Sequence, residues 1–184
     1  MSIAIQPLDE TSAAPGVGVR LTTKDGVELI VRSANPGDTE LVERCFAGVS
    51  REDLRFRFLT AVRHVDAHQV AVMTHPDHKR SETLLAFLVD QPDPPVAIAV
   101  IAGGETGDVA EVAISIVAAI RGRGVAWTLL EHSARVAKAL GYRQLQSVES
   151  RDNRAAIDLE REMGFEILPY PGDATLTLVR ADLT

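Results

Sequence analysis

The stretch Ala119–His132, AIRGRGVAWTLLEH, places two arginines and two glycines directly before an apolar helical segment. The first amides of a helix have no intrahelical acceptor, so a strand, turn and helix of this kind present free N–H groups to a ligand. Gly122 and Gly124 let the backbone approach that ligand without a Cβ in the way, and Ala126 keeps the first turn slim. The pattern predicts an anion site suited to phosphate oxygens. The alternative is a tight turn with solvated arginines.

Composition and charge restrict the class of protein. The chain has 184 residues, 46% of them hydrophobic, and a formal net charge of −7. A chain this acidic lacks the basic face of a general nucleic-acid binder and suits a cationic substrate better. No apolar run approaches the roughly 20 residues that span a bilayer, and the N-terminus lacks a signal-peptide pattern. We therefore expect a soluble, cytoplasmic protein with no nucleic-acid or membrane partner.

The order of predicted elements indicates an α+β fold. Residues 1–18 mix small residues and Pro with acidic residues without periodicity, which predicts a flexible N-terminal segment before a single domain over residues 19–184. Asp25 and Gly26 lie between two alternating runs and predict a hairpin. The later patterns predict helices, three consecutive antiparallel strands, a helix, a strand, a helix and a closing hairpin.

The strand, turn and helix around the opening stretch resemble the acetyl-CoA-binding signature of the GCN5-related N-acetyltransferase (GNAT) family. That signature holds the pyrophosphate and has three fixed positions: Gln or Arg, then Gly after two variable residues, then Gly or Ala after one more. Arg121, Gly124 and Ala126 stand at these three positions. The segment NRAAIDLEREMGF resembles the family's fourth helix, with Asn153 where an Asn often reaches the pantetheine arm. The resemblance implies a mixed, mostly antiparallel central sheet flanked by helices on both faces, with acetyl-CoA as cosubstrate.

The same resemblance implies a set of cofactor-binding residues. Backbone amides of residues 115 to 117 would pair with the pantetheine arm as an added strand does. The turn and the first helical residues would hold the pyrophosphate. The full set is Ser115, Ile116, Val117, Arg121, Gly122, Arg123, Gly124, Val125, Ala126 and Asn153.

A carboxylate, Glu111, interrupts the otherwise apolar strand VAEVAISIV. Charged side chains are seldom placed in mid-strand for stability, and strand alternation puts Glu111 on one face with Ala113, Ser115 and Val117. A partly buried carboxylate on that face suits proton abstraction from an ammonium, which predicts Glu111 as the general base. The alternative is a solvent-facing Glu on an edge or bulge.

The run AEVAISI followed by RGRG also resembles the acetyltransferase domain of bacterial Pat-type protein lysine acetyltransferases, in which a Glu on this strand is the catalytic base. SREDLRFRF resembles a segment of that group, with Ser50, Glu52, Arg57 and Phe58 at its common positions. The resemblance implies acetyl transfer to a primary amine, on a protein lysine or on a small molecule. A CoA-binding regulatory module without catalysis and a plain interaction domain are the other hypotheses.

The chain departs from the family pattern at Glu160. Many family members carry there a Tyr that protonates the leaving thiolate, seven residues after the Asn that Asn153 matches. A carboxylate beside a departing thiolate is a poor acid unless its pKa is raised, so we expect Glu160 to be a surface residue. The alternative is that Glu160 replaces the Tyr as the general acid.

The remaining cysteine, histidine and aromatic side chains of interest are not expected to take part in catalysis. Cys45 stands at helical spacing with apolar residues, which predicts a buried structural thiol. His64 and His68 are spaced i, i+4, but no H-E-x-x-H pattern accompanies them, so we expect no metal. Trp127 and Tyr142 flank one predicted helix and are expected to be packing residues.

Overall fold

The computed structural model describes residues 2–3, 18–60, 64–104 and 107–183. Most of the predicted N-terminal segment, residues 1 and 4–17, lies outside them. The described strands are β1 (Ser2–Ile3), β2 (Val19–Thr22), β3 (Glu28–Ser33), β4 (Ser81–Leu88), β5 (Ala97–Gly103), β6 (Val109–Ile116), β7 (Gln144–Ser150), β8 (Glu166–Pro169) and β9 (Leu176–Leu183). The described helices are α1 (Thr39–Ala47), α2 (Arg51–Phe58), α3 (Ala67–Thr74), α4 (Val125–Ala139) and α5 (Arg154–Glu162). Among them, none is both long and apolar enough to cross a bilayer.

All these strands belong to one sheet. Its order is β1-β9-β7-β6-β5-β4-β3-β2, and β8 also pairs with β9. The β6–β7 and β1–β9 pairs are parallel, and the other pairs between described strands are antiparallel. The predicted α+β fold with a mixed, mostly antiparallel sheet is confirmed. The predicted hairpin is also present, because Asp25 and Gly26 lie in the loop that joins β2 to β3.

Helices cover both faces of the sheet. Ala97, Ala99 and Ile101 of β5 belong to the apolar cluster that includes the buried side of α4. Ile98 of the same strand belongs to a second cluster, formed with α1, α2 and α3 on the opposite face. Cys45 lies in that second cluster at 0% exposure, and burial raises the pKa of its thiol to about 12. The predicted structural thiol is therefore confirmed.

The parallel pair of β6 and β7 creates a gap in the middle of the sheet. Their pairing begins at Val109 and ends at Glu111, which lies opposite Gln146. Beyond that point β6 stays paired with β5 as far as Ile116, and β7 stays paired with β9 as far as Ser150. The two strands therefore diverge. In the described part of the chain no strand pairs with the edge of β6 that faces this gap.

Two glycines shape the turn that leads from β6 into α4. Gly122 has a φ of 72° and Gly124 a φ of 77°, a left-handed region that side chains with a Cβ rarely adopt. A Cβ on Gly124 would also lie 3.1 Å from Cβ of Thr23 in the β2–β3 hairpin. The turn and the hairpin are thus packed together, and α4 begins directly after Gly124.

Candidate active site

The gap between β6 and β7 opens into a cavity of about 430 Å³. Both strands, α2, α5 and the first turn of α4 contribute to its walls. The cavity brings Glu111 together with most of the predicted cofactor-binding residues, namely Ser115, Ile116, Arg121, Gly122, Gly124, Val125, Ala126 and Asn153. Val117 and Arg123 are not among the lining residues.

Helix α4 presents an uncapped N-terminus to this cavity. Gly124 occupies the N-cap position, and no side chain makes a capping hydrogen bond there. The first amides of a helix have no intrahelical acceptor and carry partial positive charge. Val125 and Ala126, which carry two of these amides, line the cavity. This part of the cavity is therefore suited to phosphate oxygens.

Arg121 links the phosphate-suited turn to helix α2. Its Nη1 lies 3.0 Å from Oδ2 of Asp53, which also lines the cavity. The same Asp53 oxygen accepts a hydrogen bond from Oγ of Ser50 at 2.5 Å, and the Ser50 hydroxyl caps α2 by accepting from the Asp53 amide. Arg121 is therefore held toward the cavity. Both arginines are exposed, but Arg123 is not among the residues that line the cavity.

The backbone amides that face the gap differ from those expected. The amide of Val117 donates to the carbonyl of Val96 at 2.9 Å, on the β5 side. Amides of an antiparallel strand point alternately to its two edges, so the amide of Ser115 also faces β5. Those of Ile114 and Ile116 face the gap. The prediction for the Ser115 and Val117 amides is corrected accordingly.

Glu111 lies where the gap begins, and its side chain lines the cavity. It is exposed, so the expected partial burial is wrong. The reason is local, because its cross-strand neighbour Ala102 is exposed as well and the helices leave this end of the face open. Arg57 of α2 lies near enough for the charge of Glu111 to act on it.

Glu149 of β7 lines the same cavity and was not predicted from the sequence. Its Oε2 accepts a hydrogen bond from Nδ2 of Asn153 at 2.7 Å. Burial raises the pKa of Glu149 to about 7, while the Asn153 hydrogen bond and the charge of Arg57 lower it. Burial in turn lowers the pKa of Arg57, against the charges of Glu111 and Glu149. The available signal was period-two alternation, which puts Glu149 on the face of the buried Leu145.

The expectation that Glu160 is a surface residue is wrong. The residue is 5% exposed, because the i, i+3 spacing places it on the face of α5 that buries Ile157. Its Oε1 accepts a hydrogen bond from Oγ of Ser147 at 2.6 Å, and its buried Oε2 has no partner in the described part of the chain. Burial and the charge of Glu149 raise the pKa of Glu160, the Ser147 hydrogen bond lowers it, and the resulting pKa is about 8.

The other singled-out side chains lie mostly outside the cavity. Trp127 lines it, with Nζ of Lys24 3.8 Å from the ring centroid. Tyr142 is buried, as predicted for a packing residue, and its hydroxyl donates to a backbone carbonyl. His68 lies in α3, whereas His64 precedes that helix, so the two do not form a helical pair. Within the described ranges no group of three or more His, Cys, Asp or Glu is placed to hold a metal ion.

Comparisons with known proteins agree with this architecture. The family model described as "Acetyltransferase (GNAT) family" matches residues 40–165. The chain is 27% identical over 160 residues to Acetyltransferase PA5475 of Pseudomonas aeruginosa, covering 86% of each. The GNAT domain of S. lividans PAT superposes with a TM-score of 0.82 at 25% identity, over 90% of this chain and 97% of that one. An acetyltransferase of Thermus thermophilus shares the fold, with a TM-score of 0.68 and 23% identity over 89% of this chain and 98% of that one. With its family model spanning most of the chain, the protein belongs to the GNAT family and is an acetyl-CoA-dependent N-acetyltransferase.

Proposed function

We propose that this chain transfers an acetyl group from acetyl-CoA to a primary amine by direct attack of the amine on the thioester, with Glu111 as the general base. The observation that carries the proposal is the cavity between β6 and β7. It joins the uncapped N-terminus of α4 to a part lined by the carboxylates of Glu111 and Glu149. The first part suits the diphosphate of CoA, and the second suits a cationic amine.

The pyrophosphate would be held by the turn before α4. The amides of Val125 and Ala126 offer hydrogen-bond donors, and Gly122 and Gly124 leave room for the phosphates. The guanidinium of Arg121 adds charge at the same place. Arg123 lies outside the cavity lining, so its proposed contribution is a longer-range positive charge.

The pantetheine arm would run along the unpaired edge of β6. The amides of Ile114 and Ile116 would pair with its amide groups as a neighbouring strand does. An amide aimed at the thioester carbonyl would also stabilise the negative charge that develops on its oxygen during attack. Nδ2 of Asn153 is bound to Glu149, which leaves Oδ1 as the polar atom of this side chain for the pantetheine arm.

The acceptor would enter beside α2. Phe56 and Leu59 line this side of the cavity, and Leu59 is 43% exposed. An apolar stem ending in an ammonium fits an apolar entrance followed by carboxylates. Among such amines, the resemblance to Pat-type enzymes and the similarity to the GNAT domain of S. lividans PAT support a protein lysine. A small-molecule amine is the second candidate.

The chemistry would be chiefly positioning and proton removal. Glu111 takes a proton from the acceptor ammonium and, being exposed, passes it to water. The amine then attacks the thioester carbon, and the carbonyl oxygen becomes negatively charged. Collapse of the tetrahedral intermediate forms the amide and expels the thiolate of CoA.

The test is CoA release with a panel of lysine peptides, polyamines and amino acids, together with calorimetry of acetyl-CoA binding. The thiol of CoA can be followed with a thiol reagent, because the single cysteine of the chain, Cys45, is buried. Tight binding with rapid CoA release in the presence of lysine peptides supports the proposal. Binding without turnover on any amine would indicate a regulatory module, and lack of binding would remove the assignment of the cavity to acetyl-CoA.

A further inference from the structure

Glu149 lines the cavity beside polar and charged groups of several elements. Asn153, at the start of α5, holds its Oε2 through the 2.7 Å hydrogen bond. The charge of Arg57 in α2 lowers the pKa of Glu149, and the charge of Glu149 in turn raises the pKa of Glu160 in α5. Glu111, on β6, also acts on Arg57, because the charges of Glu111 and Glu149 both raise the pKa of Arg57. The hydroxyl residue Thr177 of β9 lies directly opposite Glu149 in the sheet and is buried.

The reaction has a second proton to move. An acceptor ammonium loses one proton before attack, and the tetrahedral intermediate still carries an N–H₂⁺ group. The thiolate that leaves needs one proton to become the neutral thiol. Glu111, being exposed, can release the first proton to water. A second group inside the cavity is required if the second proton is to pass directly from nitrogen to sulfur.

We propose that Glu149 carries this second proton from the amine nitrogen of the tetrahedral intermediate to the departing sulfur of CoA. The proposal rests on the proposed function and adds a second proton-transfer residue to it. The N–H bond breaks, its electron pair stays on nitrogen, and the proton forms an O–H bond on the Glu149 carboxylate. When the C–S bond breaks, its electron pair leaves with sulfur, which takes the same proton. Glu149 returns to its starting state, and the only net proton released is the one from Glu111.

The surroundings favour Glu149 over its neighbours for this task. A shuttle must accept and release the proton with similar ease, and burial against the opposing effects of Asn153 and Arg57 gives Glu149 a pKa of about 7. Glu160 is held neutral more strongly, with a pKa of about 8, and Oε1 of Glu160 is already occupied by Ser147. Glu111 exchanges protons with solvent, so it cannot keep the same proton for the sulfur.

The first experiment compares Glu149→Gln with Glu111→Gln on two acceptors, a lysine peptide and trifluoroethylamine, a weakly basic amine that is mostly neutral at pH 7. With the peptide, each variant is expected to lose about 10²-fold or more in turnover. With the neutral amine the first deprotonation is unnecessary, so the deficit of Glu111→Gln should shrink at least about tenfold. The deficit of Glu149→Gln should persist, because the second proton still has to move. Calorimetry of acetyl-CoA checks that binding survives.

The second experiment follows turnover of the wild type against pH. Activity should rise through a limb near pH 7, since the carboxylate form of Glu149 is needed to accept the proton. Arg57→Gln removes a charge that lowers the pKa of Glu149, so the limb should move to higher pH. Arg57→Lys keeps the charge and should return the limb toward the wild-type position. A merely structural role for Arg57 would lower activity without moving the limb.

The outcomes separate this inference from the proposed function. Glu166→Gln, a change in an exposed carboxylate of β8, is the matched control and should leave turnover unchanged. If the wild type acetylates the peptide but Glu149→Gln does so at the wild-type rate, the shuttle is excluded while the enzyme assignment stands. The shuttle is also excluded if only Glu160→Gln loses turnover, or if the pH profile of Arg57→Gln rises at the same pH as that of the wild type. Absence of acetyl transfer by the wild type would contradict the proposed function itself.

Discussion

Ser147 donates a hydrogen bond from Oγ to Oε1 of Glu160 at 2.6 Å, which joins β7 to α5 in the wall of the cavity between β6 and β7. Glu160 is 5% exposed, and its other carboxyl oxygen is buried without a partner in the described part of the chain. A carboxylate in such a place costs free energy when it ionises. The stability of the fold should therefore depend on pH.

The first prediction concerns this dependence. Burial raises the pKa of Glu160 to about 8 in the folded chain, whereas an unfolded Glu titrates at about 4.3. Between these values the folded chain binds more protons than the unfolded chain, so the free energy of unfolding falls as pH rises. Glu160→Gln removes this loss while keeping the acceptor for Ser147. At pH 8 the variant should be more stable than the wild type by about 2 kcal/mol or more.

Urea unfolding at pH 5 and pH 8 measures the effect. The stability gain of Glu160→Gln should be small at pH 5 and large at pH 8, while Glu166→Gln, at an exposed position, should show no such difference. A gain that is the same at both pH values would mean that Glu160 is not neutral in the folded state.

The second prediction concerns the anion site. Gly124→Val should weaken acetyl-CoA binding several-fold or more, because its Cβ would lie 3.1 Å from Cβ of Thr23 and would displace the turn whose amides are proposed to hold the phosphates. The change also strains a residue with a φ of 77°, so a matched strain control is needed. Gly141→Val, at a φ of 94° and with open space around it, imposes similar strain outside the cavity lining. Equal acetyl-CoA affinity of the two variants by calorimetry would remove the pyrophosphate from this turn.

The third prediction concerns Arg121, which lies 3.0 Å from Asp53 and faces the same part of the cavity. Arg121→Gln should raise the KM for acetyl-CoA by about tenfold, the usual loss of a charged hydrogen bond to a phosphate. Acetyl-pantetheine has no diphosphate, so its KM should not change. An equal rise for both donors would show that Arg121 acts on something other than phosphate.

Much of the site could be predicted because it lies on local patterns. The Gly-rich turn before α4 indicates the position of the proposed anion site, and the carboxylate of Glu111 stands out in an apolar strand. The burial of acidic side chains is harder to predict from the sequence. Glu160 lies on the buried face of α5, between the half-buried Leu159 and the exposed Arg161. Because a Glu does not count as apolar, the pattern of apolar residues does not predict that Glu160 is buried.

The divergence of β6 and β7 could not be derived from residue patterns alone. It depends on which strand each continues to pair with after Glu111, and those partners, β5 and β9, lie far apart in sequence. The same tertiary arrangement brings Arg57 of α2 to Glu149 of β7. Strand alternation could have placed Glu149 on the buried side, but no local pattern shows that the charge of Arg57 acts on it.

The proposed mechanism depends on Glu111, which removes the proton from the acceptor in this cavity. Glu111→Gln keeps the volume and hydrogen-bonding ability of the side chain but cannot accept the proton. Its measured turnover with a lysine peptide at pH 7 should be lower than that of the wild type by roughly 10²–10⁴, with folding and acetyl-CoA affinity unchanged. The deficit should shrink at high pH, where more of the acceptor amine is already neutral. Turnover like that of the wild type at pH 7 would contradict the assignment of Glu111 as the base.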